Sequence, residues 1–115
     1  MIWIISGTQD GREIGAALAD REQSKPEGER REILMTVVSQ YGKVLAAHKG
    51  LDIEVGRFRE EAMLRVIREK GISLILDASH PYAAIVSETA RAACTKAGID
   101  YVRYERAEIP LPDYD

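Results

Sequence analysis

The sequence has little cysteine, no long apolar run and no excess of positive charge, and each lack removes a class of function. Cys94 is the only cysteine, which excludes an internal disulfide and a cysteine-rich zinc site and suits a reducing compartment. His48 and Cys94 show no ligand spacing with His80, so no metal is expected. The opening run Met1 to Ile5 is apolar but far too short to cross a bilayer, and no basic segment precedes it. Neither a secretory leader nor a membrane anchor is expected, and the expected location is cytoplasmic. With 16 Lys+Arg against 19 Asp+Glu the net charge is -3. Nothing therefore draws the whole molecule to nucleic acid or an anionic membrane, and any anion site must be local. The absence of G-x-x-x-x-G-K-[ST] disfavours a P-loop hydrolase. A Ser/His/Asp hydrolase fits poorly too, because Ser79 and His80 are sequence neighbours and no G-x-S-x-G elbow occurs.

What is present reads as one α/β domain, since 115 residues fall within the roughly 100 to 200 usual for one unit. Met1 to Ser6 is continuously apolar and rich in β-branched residues, as in a strand buried on both faces of a parallel sheet. Ile14, Ala17 and Leu18 recur at helical spacing and predict a first helix over 11–20. Arg21 to Glu32 is charged around Pro26 and Gly28 and reads as a solvated connection; its charges cancel, which argues against a basic patch. Further strands are expected at 33–38, 52–55, 72–76 and 101–104. Helices are expected around 43–48 and 59–70, the latter stopped by Gly71, and along Val86, Ala90, Ala93, Cys94 and Ala97, stopped by Gly98. Five strands alternating with four helices predict a doubly wound parallel sheet of order 3-2-1-4-5 with right-handed crossovers. Residues 1–106 are expected to form the domain. Residues 107–115, with Pro110 and Pro112, are expected to be a linker toward a further, C-terminal domain.

In such a sheet the first β-to-α turn binds phosphate, because the free amides and dipole of the following helix favour an anion. Here that turn is Gly7-Thr8-Gln9-Asp10-Gly11-Arg12, and glycine there would let phosphate approach the backbone. Its spacing departs from G-x-G-x-x-G, and Asp10 with Glu13 also fits a capping box. At the end of the second strand an acid would bind the ribose of NAD; Ser39-Gln40-Tyr41-Gly42-Lys43 has none, which leans toward NADPH. Lys43 reads equally well as an ordinary surface lysine. Asp77-Ala78-Ser79-His80-Pro81-Tyr82 follows the fourth strand and borders the crevice where the strand order reverses. His80 is suited to donating a proton or walling a ligand. Ser79 or His80 also fits as cap of a helix with Pro81 in its first turn. Arg57, after Gly56, would contact the adenosine half or a substrate carboxylate, or stand exposed without a role. Cys94, on an apolar helix face, reads as a small buried hydrophobe.

Together, Gly7 to Arg12, Tyr41-Gly42, Gly56-Arg57, Asp77-Ala78-Ser79-His80-Pro81-Tyr82-Ala83 and Arg103-Tyr104-Glu105-Arg106 resemble the precorrin-6A reductase and cobalt-precorrin-6A reductase family in order and spacing. The resemblance implies a Rossmann-like fold, NADPH or NADH as cofactor and a tetrapyrrole substrate. It implies hydride transfer to a double bond of the precorrin-6A or cobalt-precorrin-6A macrocycle, giving precorrin-6B in corrin synthesis. Gly7, Thr8, Gln9, Asp10, Gly11 and Arg12 would hold the diphosphate, with Ser39, Tyr41 and Gly42 beside the adenosine ribose. Asp77, Ala78, Ser79, His80 and Pro81 would lie beneath the nicotinamide, and Arg57, His80 and Arg106 would meet the substrate. No residue is assigned as proton donor. The stretch Arg21 to Glu32 is longer than the resemblance implies. Members are also expected to be about twice this length, which makes the chain the cofactor-binding half. Two other classes compete: a nucleotide-sensing module without turnover, and a methyl transferase using S-adenosylmethionine, which would want the missing acid after the second strand.

Overall fold

Five short apolar runs pair side by side into one parallel sheet: β1 (Ile2–Ser6), β2 (Ile33–Val37), β3 (Leu51–Val55), β4 (Leu74–Ala78) and β5 (Asp100–Arg103). The computed structural model describes residues 1–80 and 83–105. The strand order is β3-β2-β1-β4-β5, as the alternation of elements predicts. Between strands run α1 (Gln9–Gln23), a 3-10 turn at Glu27–Glu29, α2 (Gln40–Ala46), α3 (Glu60–Lys70) and α4 (Ala84–Ala97). Alternation along each strand sends Trp3, Ile5, Leu34 and Ile75 to the face covered by Met63 and Ile67 of α3 and Ala90, Ala93 and Cys94 of α4. Ile2, Ile4, Met35 and Val37 face the other way, onto Ala19 of α1 and Ala46 of α2. Both faces are covered, which is why the central strands β1, β2 and β4 carry one polar residue each, while the edge strands β3 and β5 carry two charged residues each.

Several element boundaries differ from the sequence reading, each for a local reason. The first helix is longer at both ends, and its buried stripe is Gly11, Gly15, Ala19 and Glu22 rather than Ile14, Ala17 and Leu18. Small residues let the helix lie close on the sheet. A Cβ on Gly11 would stand 2.8 Å from Ser6 Oγ and 3.1 Å from Ala78 Cβ, and one on Gly15 would collide with the Met35 side chain. The charged connection is partly ordered because buried Glu22 accepts from Lys25 Nζ at 2.7 Å and from the Arg31 amide at 2.7 Å. Those bonds, the Lys25 one first, hold the Glu22 carboxyl below its usual range. β4 begins two residues later than expected because Ile72 N–H turns back to the Ile67 carbonyl behind left-handed Gly71 (φ 64°). Asp77 and Ala78 are therefore strand residues, not loop residues. β2 stops at Val37, one residue early, and α2 starts at Gln40, where Ser39 Oγ accepts from the Gly42 amide at 3.0 Å. Gly98, also left-handed (φ 71°), closes α4 as expected.

Candidate active site

All five strands run the same way, so the turns after β1, β2, β3 and β4 gather at one edge of the sheet. They open there on a cleft of about 640 Å³, a size common for small-molecule sites. Its floor is apolar, made by Trp3 and Ile5 of β1 and Met63 of α3. Phe58 meets Trp3 edge-on, with centroids 5.5 Å apart and rings at 85°. The Trp3 indole N–H is spent on Thr36 Oγ1 at 3.0 Å, so the ring can be fully buried without an orphan donor. Gly7, Arg57, Arg59, Ser79 and His80 form the polar rim. Among the described residues lining the cleft there is no carboxylate, and Arg57 and Arg59 form no ion pair with any described residue. A positive rim over an apolar floor favours an anionic ligand with a flat body.

The turn after β1 is pinned to the end of β4. Thr8 is the helix cap: its Oγ1 accepts from the Gly11 amide at 3.0 Å and donates to the Ala78 carbonyl at 3.3 Å. This replaces the capping box expected from Asp10 and Glu13. The amide of Gly11 is thereby used, and the donors ahead of it in the turn belong to the helix start, where an anion is favoured. Gly11 itself is buried, and its lack of a side chain serves helix-on-strand packing against Ser6 and Ala78. Gly7 is the exposed glycine of the turn, and a Cβ there would stand 3.2 Å from the His80 amide nitrogen. The two loops are thus in contact where the strand order reverses.

Asp77 organises the second loop from beneath. Its side chain is fully buried and accepts from Ser79 N at 3.0 Å, Ser87 Oγ at 2.6 Å, Tyr101 OH at 2.6 Å and Arg103 Nη1 at 3.1 Å. Burial by itself would raise its pKa, but the bonds from Ser79, Ser87 and Tyr101 outweigh it and hold the carboxyl below the usual range. Burial and that same bond push the Tyr101 phenol up to about 12. With every oxygen direction taken, the Asp77 side chain positions the loop instead of meeting a ligand. The expected cap of α4 by Ser79 or His80 is not made: Ala83 is the cap residue and its N–H returns to the His80 carbonyl at 2.8 Å.

Of the residues read as ligand-binding, the cleft brings together Gly7, Arg57, Ser79 and His80. Thr8, Gly11 and Ala78 stand behind them as packing partners, and Gln9, Asp10 and Arg12 lie on the first turn of α1. Ser39, Tyr41 and Gly42 are at the start of α2 and do not line the cleft; Tyr41 is 74% exposed. Pro81 and Arg106, and the linker expected at 107–115, lie outside the described residues. Sequence reading missed Trp3, Thr36, Phe58, Arg59 and Val86 as lining. Arg59, two residues past Arg57 in one loop, was within reach of it; the others look like ordinary core residues, and only the fold brings them to the cleft wall. Among the described residues no group of histidine, cysteine or carboxylate side chains is placed to hold a metal, and no helix is long and apolar enough to cross a membrane.

A family model described as precorrin-6x reductase CbiJ/CobK matches residues 1–115. The cobalt-precorrin-6A reductase of Priestia megaterium is 34% identical over 107 residues, which cover 93% of this chain and 39% of that protein. The cobalt-precorrin-6A reductase of Synechocystis sp. is 30% identical over 111 residues, 96% of this chain and 40% of that protein. The precorrin-6A reductase of Rhodobacter capsulatus is 28% identical over 105 residues, 90% of this chain and 38% of that protein. Among solved structures, one titled CobK precorrin-6A reductase superposes with a TM-score of 0.73 at 24% identity, over 96% of this chain and 39% of that one, and shows the same fold. The chain spans about two-fifths of the length of the relatives it matches.

Proposed function

The chain belongs to the precorrin-6x reductase family CbiJ/CobK, and from that premise we propose that it is the NAD(P)H-binding part of a reductase acting on a precorrin-6A or cobalt-precorrin-6A macrocycle in corrin synthesis. The observation that carries the reading is the cleft at the reversal of strand order, apolar below and edged by Arg57 and Arg59 with no acid among its described lining. A dinucleotide matches that distribution, since it offers flat rings to the floor and phosphates to the rim. The absence of an acid after β2, where Val38-Ser39-Gln40 stands, favours NADPH over NADH.

A bound reduced nicotinamide would supply a hydride to a ring double bond, with a proton added at the adjacent carbon. The chain's own residues would bind and orient it. The turn at Gly7 and Thr8, leading into α1, holds the paired phosphates on backbone donors. Arg57 and Arg59 take the remaining anionic groups, whether the ribose phosphate or carboxylates at the macrocycle edge. Trp3, Ile5 and Phe58 keep water from the reacting faces, and Ser79 with His80 walls the nicotinamide side. A cleft so lined would let a tetrapyrrole be presented to the nicotinamide in a fixed orientation, which would remove much of the entropic barrier.

Trp3 is the only tryptophan and lies in the cleft floor, so energy transfer from it to a reduced nicotinamide is a direct assay. NADPH is expected to quench Trp3 emission at lower concentration than NADH. The double variant Arg57→Glu, Arg59→Glu is expected to weaken NADPH by at least about tenfold, more so at low salt. Absence of quenching and of calorimetric heat with both nucleotides would remove this assignment.

A further inference from the structure

We propose that Arg103, on the edge strand β5, is a positioning residue that sets the nicotinamide side of the cleft by clamping Ser79 and its loop against Asp77. The proposal rests on the reading of the cleft as an NAD(P)H site. Arg103 Nη1 lies 2.9 Å from the Ser79 carbonyl, 3.1 Å from Ser79 Oγ, 3.1 Å from Asp77 Oδ1 and 3.3 Å from the Asp77 carbonyl. One nitrogen with two hydrogens serves four acceptors, so the bonds are shared and all four acceptors are drawn to one point. Its Nε is held by Glu105 Oε1 at 3.2 Å, which fixes the guanidinium plane from the outer side. Asp77 completes the clamp by accepting the Ser79 amide. Ser79 is therefore gripped at its N–H, its carbonyl and its hydroxyl.

A clamp so concentrated on one residue does more than join two strands, since Asp77 already pairs with Arg103 in the ladder register of β4 and β5. A buried ion pair is weak evidence of stabilisation, because desolvation offsets the attraction. Ser79 and His80 line the cleft, and the His80 amide abuts Gly7 of the phosphate turn. Holding Ser79 in place thus fixes the gap between the two ligand-facing loops. Releasing it widens the nicotinamide end and leaves the turn at Gly7 and the Arg57 side in place.

The test compares two ligands by calorimetry on this chain: NADPH, and adenosine 2′,5′-bisphosphate, which lacks the nicotinamide half. Arg103→Met is expected to weaken NADPH about tenfold and to leave the bisphosphate within about twofold, with Arg103→Lys in between because it restores one cation at the clamp. A purely structural role would weaken both ligands together. Equal losses, or no loss for NADPH, overturn the proposal. Should Arg103→Met show no cooperative unfolding, Arg103→Lys decides: a loss for NADPH alone supports the clamp, and unchanged or parallel affinities refute it. Wild-type chain that binds neither ligand sinks the nucleotide reading itself, and this proposal with it, an outcome separate from the others.

Discussion

Replacing Asp77 by Asn isolates the charge at the centre of the network with little change of shape. In the wild type four donors converge on the carboxylate, from Ser79, Ser87, Tyr101 and Arg103. Asn keeps one oxygen for the Ser79 amide and Arg103. Its amide group cannot accept from the Ser87 and Tyr101 hydroxyls, so both bonds must reverse, the amide hydrogens donating to the two hydroxyl oxygens. Bonds to a charged acceptor contribute about 1.5–3 kcal/mol and neutral ones about 0.5–1.5. The loss of charge from bonds that stay, two of them reversed, puts the cost at about 2–4 kcal/mol, at or under the roughly 3–5 kcal/mol seen when a buried pair loses a partner outright. Urea unfolding followed by Trp3 emission measures it, since Trp3 is fully buried in the native chain. The pH dependence adds a second handle. The folded carboxyl titrates below its unfolded value of about 3.9, so its contribution is complete above that value and is lost as pH falls through the lower, folded one. Asn does not titrate there, so the gap between the two proteins must close in that acid window. A gap below about 0.5 kcal/mol at neutral pH, or one that widens in acid, refutes the assignment of Asp77 as a charged hub.

Three further outcomes follow from the same structure. Gly11→Ala gains about 1 kcal/mol of helix propensity, but its Cβ meets Ser6 Oγ at 2.8 Å and the Ala78 carbonyl at 3.2 Å. Overpacking of about 1–3 kcal/mol should win, lowering the melting temperature, whereas Gly28→Ala, with nothing within 4 Å, should not. Tyr101→Phe removes a 2.6 Å bond to the Asp77 carboxylate and should cost about 1.5–3 kcal/mol. In the wild type the phenol, pushed up to about 12, contributes fully below its unfolded value of about 10 and loses that contribution as pH rises through the folded one, which an ultraviolet titration alongside unfolding would follow. Cys94 is buried with its thiol raised to about 11 by burial and then by Asp100, so a thiol reagent at mildly alkaline pH should modify it only at the rate of unfolding. Labelling as fast as in urea would contradict its place in the core.

Apolar periodicity and glycine punctuation were enough to read the strand order, because a run such as Ile2 to Ile5 suits few places besides a doubly covered strand. Gly71 and Gly98 marked helix ends for the equally local reason that only they tolerate the left-handed backbone there. The loops that line the cleft were legible in part. Gly7, Arg57, Ser79 and His80 could be placed on one edge from topology alone, since parallel strands bring their C-terminal turns together. The roles of neighbours were not legible. Nothing local in the sequence tells that Gly11 packs against Ser6 and Ala78, or that the Asp77 side chain is enclosed.

The amino-acid order by itself determined which segments pair, in what sequence and direction, and which edge of the sheet gathers the turns after the strands, because those follow from local pattern and chain connectivity. Only tertiary structure decided that Trp3 and Phe58 floor the cleft, that Thr8 ties the first turn to Ala78, and that Arg103 closes on Ser79 from 24 residues away. Such contacts depend on distances between strands and helices that are remote in the chain, and on which polar groups remain once each backbone donor has found its acceptor. No pattern within one segment encodes that remainder.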